Sequence, residues 1–269
     1  MKKLIYTSLL VLFFCSFKGE NQAVFRKLNT HIATGERLSY RAHVGFINAC
    51  RAEINLDKNI FEVNERPCYR VKVDAQSVGT FKMFYKFENE YQSYIDTSAI
   101  TTHKFYRSTH EPDYELEETI EFDHRSGKGK LTQNKNGNPK QKTFDFPGYP
   151  QDLISGYYYL RAVNFKNKSK GDVINMCGIY EDSVYNFQLK FLGKDIVKTK
   201  FGKIHAYMLS PIMPDNKLFK GGDAITIWVS EDKNRIPLKV KAKMFVGSVE
   251  LDLEDYSGLK QDFNFAKRK

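Results

Sequence analysis

Histidine and acidic side chains are the residues of this sequence best suited to acid–base or metal chemistry. The six histidines are scattered along the chain. His103 and His110 straddle the end of a predicted strand, and their spacing is weak for a metal site. His124 follows Asp123, but neighbours on a strand point to opposite faces of the sheet. Each histidine is therefore interpreted as an ordinary surface or core residue, and no bound metal is predicted.

Carboxylates are plentiful on one predicted strand, where alternation assigns all four to the solvent face: Glu115, Glu117, Glu118 and Glu121. A glycosidase-type pair of carboxylates cannot be identified from this spacing. The sequence also lacks a G-x-S-x-G elbow, a Gly-rich phosphate loop and an H-E-x-x-H zinc motif. We therefore predict a protein that is not an enzyme and uses no cofactor. An enzyme acting on an envelope glycan is the third hypothesis for function.

Aromatic residues are the other candidates for a binding site. If Tyr85, Phe87, Tyr91 and Tyr94 face the inside of a curved sheet, they line an apolar cavity. A solid core built from the same residues is the competing interpretation, and an outer tyrosine patch that stacks on sugars is a third. The predicted ligand-binding residues are Tyr85, Phe87, Tyr91, Tyr157 and Arg161.

Alternation of apolar and polar residues dominates the chain and predicts strands with one buried face. The pattern is clean over residues 38–46, 69–75 and 81–87, and turn signals such as Gly221-Gly222 separate the strands. We predict about a dozen strands in an all-β protein. They should form one large twisted antiparallel sheet, curved into a half-barrel or open barrel.

One segment breaks the alternation and predicts a single short helix over about residues 150–163, packed against the concave side of the sheet. Asp152 in its first turn complements the helix dipole. Its apolar stripe consists of Leu153, Tyr157 and Leu160. Arg161 falls inside the apolar arc, so it should reach the rim of the sheet or pair with a sheet carboxylate, because an unpaired buried charge is costly.

The first residues resemble a secretory signal peptide. Lys2 and Lys3 supply a positive start, and the apolar run 4–17 is shorter than the roughly 20 residues of a membrane-spanning helix. We predict a signal peptide over residues 1–19, cleaved between 16 and 23, and an exported periplasmic or envelope-associated protein. Cys15 would allow a lipoprotein anchor, but the bulky Phe14 before it argues against that processing.

Beyond the signal, no stretch is long and apolar enough to span a bilayer. We predict a tail over 20–34, a single β domain over 35–256 and a second tail over 257–269. Signal removal takes away three lysines and lowers the formal net charge from +10 to +7. For an exported chain this charge fits solubility, or anionic lipids and polymers of the envelope, and no nucleic acid partner is predicted.

The stretch from Arg125 to Lys142 holds six basic residues and no acid, together with three glycines, three asparagines and a proline. This composition predicts a long hairpin tip or a flexible loop between strands. A solvated loop is the ordinary fate of such a run. Contact with an anionic envelope surface is the functional alternative.

Several blocks in order resemble an uncharacterised family of exported bacterial proteins, known as domain of unknown function 3108. They are Gly35-Glu-Arg-Leu-Ser-Tyr40, Val44-Gly45, Glu121-Phe-Asp123, Gln151-Asp-Leu-Ile-Ser155, Tyr159-Leu-Arg161, Gly202-Lys-Ile, Pro211, Trp228-Val-Ser230-Glu-Asp232, Pro237 and Gly247-Ser-Val-Glu-Leu251. The resemblance implies a β-rich envelope domain without assigned catalytic residues. It implies that the motif positions define the fold: Gly35, Asp152, Ser155, Trp228, Asp232, Pro237 and Gly247.

The Trp228 turn and its return strand also resemble, in architecture, the lipoprotein-carrier folds whose curved sheets enclose acyl chains. The leading hypothesis is an envelope protein that binds an apolar or amphipathic, lipid-like ligand in a concave sheet. The alternative is a structural or adaptor protein of the envelope, with a packed core and a surface that binds a protein or glycan.

Overall fold

The computed structural model describes residues 31–212, 224–244 and 247–266. Their strands are β1 Arg37–Val44, β2 Ile47–Val63, β3 Arg66–Ser77, β4 Glu88–Asp96, β5 Thr102–Glu111, β6 Tyr114–Asp123, β7 Lys128–Lys135, β8 Asn138–Asp145, β9 Val173–Tyr180, β10 Ser183–Thr199, β11 Gly202–Pro211, β12 Ile225–Ser230, β13 Pro237–Lys243 and β14 Ser248–Ser257. Two short helices accompany them, α1 Phe81–Phe84 and α2 Leu153–Ala162. The predicted all-β class is confirmed.

All fourteen strands belong to one antiparallel sheet, in the order β8 to β1 and then β14 to β9. Nearly every strand therefore pairs with its neighbour in the chain. The exception joins the first strand to the last, in a register that runs from Arg37 opposite Ser257 to Val44 opposite Val249. This one long-range pairing fuses two meanders into a single open sheet, with β8 and β9 as its edges.

Bulges bend the sheet around α2. Register shifts occur between Ser39 and Tyr40, between Leu56 and Ile60, and between Phe191 and Gly193. An extra residue on one strand increases the local twist and turns the strand out of the flat sheet. The apolar face of the sheet thereby becomes concave, and α2 packs on that side as predicted.

The segment before α2 lies along the β9 edge. The N–H of Gln151 donates to the carbonyl of Cys177 at 2.8 Å, and the N–H of Ile179 donates to the carbonyl of Gln151 at 2.8 Å. The β8 edge contributes ion pairs, with the Nζ atoms of Lys140 and Lys142 at 3.0 and 2.9 Å from Asp182. The two edges are thus linked without a β8–β9 ladder, and the sheet stays open.

The strand predicted over 81–87 is wrong. Gly79 takes a positive φ of 57° after β3, and the N–H of Tyr85 donates to the carbonyl of Phe81 at 3.0 Å to close one helical turn. An extended link then leads into β4. Aromatic residues alternating with lysine over so few positions fit one exposed turn as well as a strand, so the period alone could not decide.

The basic stretch Arg125–Lys142 is not a flexible loop. It forms most of the β7–β8 hairpin, whose turn Asn136-Gly137 has positive φ at both residues, as a type I′ turn requires. The composition does not reveal which face of β7 points inward, because Leu131 is the one strongly apolar residue among its inward positions. Gly129 faces inward beneath the ring of Phe144, which would lie 2.3 Å from an added Cβ.

The predicted tails are shorter than expected. Phe263 is buried, and the segment around it pairs with the start of β11, since the N–H of Ala266 donates to the carbonyl of Lys203 at 2.8 Å. Ile32 at the other end is buried in the core. The predicted signal peptide over 1–19, including Cys15, lies outside the described residues. Within the described part of the chain, neither helix has the length and apolar character needed to cross a membrane.

Candidate functional site

The interior of the sheet is filled at the end where α2 lies. Ile154, Tyr158 and Leu160 of α2 are buried, and the inward residues of the neighbouring strands around them are buried as well: Leu38, Tyr40, Leu56, Val71, Val229, Leu238 and Leu253. Close packing of this kind leaves no room for a ligand. We call this part of the interior the filled half.

The interior opens toward the other end of the same strands. Two residues beyond each buried position, the inward side chain becomes partly exposed: Ala42 after Tyr40, Val73 after Val71, Ile227 before Val229, Val240 after Leu238, and Leu251 before Leu253. Many of the side chains here are small. Ala42 lies opposite Cys50, and Ala52, which borders the filled half because it also lies opposite Tyr40, lies opposite Ala75. We call this concave apolar surface the open half.

α2 is held in the filled half by a buried ion pair that fixes Arg161. Its Nη1 and Nη2 atoms donate to the two carboxylate oxygens of Glu36 at 2.5 and 2.8 Å, and its Nε donates to the carbonyl of Asn234 at 3.0 Å. Burial alone would lower the pKa of Arg161, but the Glu36 carboxylate outweighs it and raises that pKa. Of the two predicted fates for Arg161, the structure shows pairing with a carboxylate rather than escape to the rim.

Tyrosines complete this polar cluster. The hydroxyl of Tyr40 donates to the carbonyl of Pro237 at 2.9 Å and lies 3.0 Å from the hydroxyl of Tyr157. Burial raises the pKa of both phenols, so both stay neutral near pH 7. Tyr157 and Arg161, two predicted ligand-binding residues, are therefore engaged with the protein itself in the filled half.

The other predicted ligand-binding residues lie apart from these. Tyr91 faces inward at the border of the open half, since it pairs with the inward Val73 and packs against the core. Tyr94 is three positions further along β4 and lies on the outer face, where its ring contacts Phe61. Tyr85 and Phe87 belong to the link before β4, where the Tyr85 hydroxyl donates to Glu111 at 2.6 Å. Only Tyr91 both faces inward and borders the open half.

A second buried polar cluster was not predicted from the sequence pattern. Nη2 of Arg107 donates to Glu118 at 3.1 Å, Nε2 of Gln133 donates to the same carboxylate at 2.8 Å, and Nη1 of Arg107 donates to the Tyr180 hydroxyl at 2.8 Å. Glu118 was predicted on the solvent face but is buried, which raises its pKa. Glu117 and Glu118 are adjacent, so both could not face solvent, and this was the available signal.

This second cluster borders the open half, because Arg107 lies directly opposite Tyr91. It also keeps unused hydrogen-bonding capacity. Nε of Arg107 and Oε1 of Glu118 are buried and have no hydrogen-bond partner among the described residues. A donor and an acceptor left unpaired in this way are suited to receive a polar group that enters the interior.

Most of the positions implied to define the fold lie at turns, at a helix cap or at the start of a strand, whereas Trp228 lies within β12. Asp152 caps α2 by accepting from the N–H groups of Ile154 and Ser155, and Ser155 Oγ accepts from the N–H of Asp152. Asp232 Oδ1 accepts from the N–H groups of Asn234 and Arg235 in the turn after β12. Gly35 and Gly247 have positive φ. Pro237 begins β13, and Trp228 is only partly buried, with Nε1 donating to Asp195 at 3.0 Å.

The histidines belong to ordinary networks. His103 is buried 3.5 Å from Asp96, and its ring centroid lies 4.6 Å from that of His124, with the two rings tilted by 57°. His43 lies 2.7 Å from Asp252 on the sheet, and Glu250 is nearby. Two lysines, Lys239 and Lys241, lie within 2.7 Å of Glu250 and lower its pKa to about 2. Ammonium groups thus satisfy these carboxylates, and the group forms an ion-pair network.

The fold and this site define a β-barrel-like protein with one half of its interior filled. A beta-barrel-like protein of domain of unknown function DUF1849 from Brucella abortus has a similar crystal structure, with a TM-score of 0.54 at 12% identity over 85% of this chain and 99% of that chain. That likeness concerns the fold. The model of the family described as protein of unknown function (DUF3108) matches residues 39–254, and the chain belongs to this family. No curated protein matches the sequence.

Proposed function

We propose that this is a non-enzymatic protein of the cell envelope that binds an apolar or amphipathic molecule in the open half of the sheet. The observation that carries the proposal is the gradient of burial along β1, β3, β12, β13 and β14. Apolar inward residues are buried beside α2 and partly exposed beyond it. When a ligand covers partly exposed apolar surface on a concave face, the burial favours binding by about 25 cal/mol per Å².

The amphipathic character of the ligand follows from the Arg107–Glu118 cluster. Arg107, with its unpaired Nε–H, lies opposite Tyr91 at the border of the open half, and Glu118, with its unpaired oxygen, lies opposite Arg107 on the next strand. A ligand with an apolar body and one hydroxyl or amide group, which can both accept and donate, would cover the alanines and satisfy both atoms. The Arg161–Glu36 pair has no such role, since Arg161 is saturated by protein groups.

Native mass spectrometry tests the proposal. The chain from residue 20 onward keeps every residue of the described fold and is purified gently from a bacterial periplasm. We expect an extra mass that denaturation releases as a lipid-like molecule. A clean apo mass, together with no thermal shift on adding phospholipid or detergent, would contradict ligand binding.

Export is part of the same proposal and rests on the sequence of the first residues. Expression of the full chain followed by N-terminal sequencing of the periplasmic protein should show a new terminus between residues 16 and 23. An uncleaved chain retained in the cytoplasm would contradict export and leave the binding proposal to the mass measurement.

A further inference from the structure

Three large apolar side chains project into solvent at the open end of the sheet. Phe46 in the β1–β2 turn is 96% exposed, and Met83 and Phe84 of α1 are 83% and 87% exposed. The two elements are neighbours, because the N–H of Val78 just before α1 donates to the carbonyl of Ala49 at 3.0 Å. We call these three residues the apolar tips.

The apolar tips contribute nothing to the packing of the fold. None of the residues of α1 is buried. Phe46 follows Gly45, which has a positive φ of 58°, so the turn holds its ring away from the sheet. Single exposed apolar residues are common on proteins, but three large ones on adjacent elements at one end indicate an interaction surface.

Lysines flank the apolar tips. Lys82 and Lys86 lie on either side of Met83 and Phe84, and their ammonium groups are 3.7 Å from Glu88, a weak pairing at an exposed site. Lys243 is the last residue of β13 and lies opposite Ser248 of β14. Because Val249 of β14 lies opposite Val44 of β1, Lys243 is at the same end of the sheet as the apolar tips. Apolar side chains ringed by lysines are typical of surfaces that enter the headgroup region of an anionic bilayer.

We propose that the apolar tips dock this end of the protein onto an anionic lipid bilayer, with Phe46, Met83 and Phe84 inserted at the level of the headgroups. The shape favours a bilayer over a protein partner, because the residues stand on a turn and a single helical turn and offer no flat surface. The open half begins at the same end, since Cys50 and Ser77 of its strands pair next to the tips. Docking would place the opening against a source of apolar ligand.

Docking onto a bilayer extends the proposed function but does not depend on it. Vesicle sedimentation tests docking separately from ligand binding. The chain from residue 20 onward is mixed with vesicles of phosphatidylcholine, or of phosphatidylcholine with phosphatidylglycerol. We expect binding to the mixed vesicles, weaker binding to the neutral ones, and a reduction by added salt. The partition coefficient onto the mixed vesicles should fall at least about tenfold in the double variant Phe46→Ser with Phe84→Ser.

Phe265→Ser is the matched control. Phe265 is also exposed, but it pairs with Ile204 at the start of β11, near the opposite end of the sheet. Its loss should leave vesicle binding unchanged. The proposal is overturned if the unaltered protein binds neither vesicle, if the double variant binds as well as the unaltered protein while keeping its melting temperature, or if Phe265→Ser weakens binding equally. Ligand found by mass spectrometry in a protein that fails to dock would overturn docking alone.

Discussion

Arg161 of α2 and Glu36, one residue before β1, form a two-pronged ion pair in which both side chains are buried. The pair joins residues 125 positions apart in the chain. Glu36 leads into β1, the strand that pairs with β14. The contact therefore fixes the helix at the point where the two meanders of the sheet meet.

Removing one partner of this pair should leave a buried charge without compensation. We expect Glu36→Gln to lower the free energy of unfolding by about 3–5 kcal/mol, measured by urea denaturation. The exposed pair of Arg125 and Glu65 supplies the control, and Glu65→Gln should cost less than about 1 kcal/mol. Equal effects of the two substitutions would show that the buried pair does not anchor α2.

Asp96 should make stability depend on acid pH. Burial opposes its ionisation, but hydrogen bonds from His103, Arg66 and Ser98 outweigh burial and lower its pKa far below the ordinary value of 3.8. A lowered pKa in the folded state means stability that is present above pH 3.8 and lost as the pH falls below it. Asp96→Asn should therefore be less stable than the unaltered protein at pH 7, with a gap that narrows below pH 3.8.

The measurement is urea denaturation of both proteins at several pH values. Asp145 is exposed and forms a surface ion pair with Lys128, so Asp145→Asn should change stability little at any of these pH values. A gap for Asp96→Asn that stayed constant as the pH fell would show that the carboxylate charge is not what stabilises this region.

The β7–β8 hairpin should be part of the folded core. Leu131 is fully buried on β7, while its neighbour Lys130 is exposed on the other face. We expect Leu131→Ala to cost about 2–5 kcal/mol in unfolding free energy, and Lys130→Ala to cost less than about 0.5 kcal/mol. Calorimetric melting of both variants distinguishes a strand from the loop that the basic composition suggested, since a loop would show two small effects.

Local patterns in the sequence were sufficient for the class of fold and for α2. Alternation predicted strands over most of the sheet, and the break in alternation after residue 150 predicted one helix. This helix, α2, begins at Leu153 because Asp152 is its N-terminal cap. The β1–β14 pairing could not be predicted, because it joins ends of the chain that share no local signal. The composition of Arg125–Lys142 left a hairpin tip and a flexible loop both open, and the Asn136-Gly137 pair, which forms a type I′ turn, was the local signal for the hairpin.

The candidate site was only partly predictable. Tyr91 was found because it alternates cleanly with its neighbours, but Tyr94, three residues on, must face the opposite way. Arg107 and Glu118 were missed because polar residues in a strand normally mark its solvent face. Which of them turn inward depends on partners on other strands, such as Gln133 and Tyr180, and pairing across strands is tertiary information.

Filling the open half with a bulky side chain shows whether a ligand binds there. Ala52→Phe adds a ring on the inner face opposite Ala75, while Gln76→Phe adds the same ring on the exposed outer face one residue further along β3. Binding of the apolar dye N-phenylnaphthylamine is followed by its fluorescence. We expect a loss of affinity of at least about tenfold for Ala52→Phe and no change for Gln76→Phe. Unchanged binding by a folded Ala52→Phe variant would contradict a ligand site in the open half.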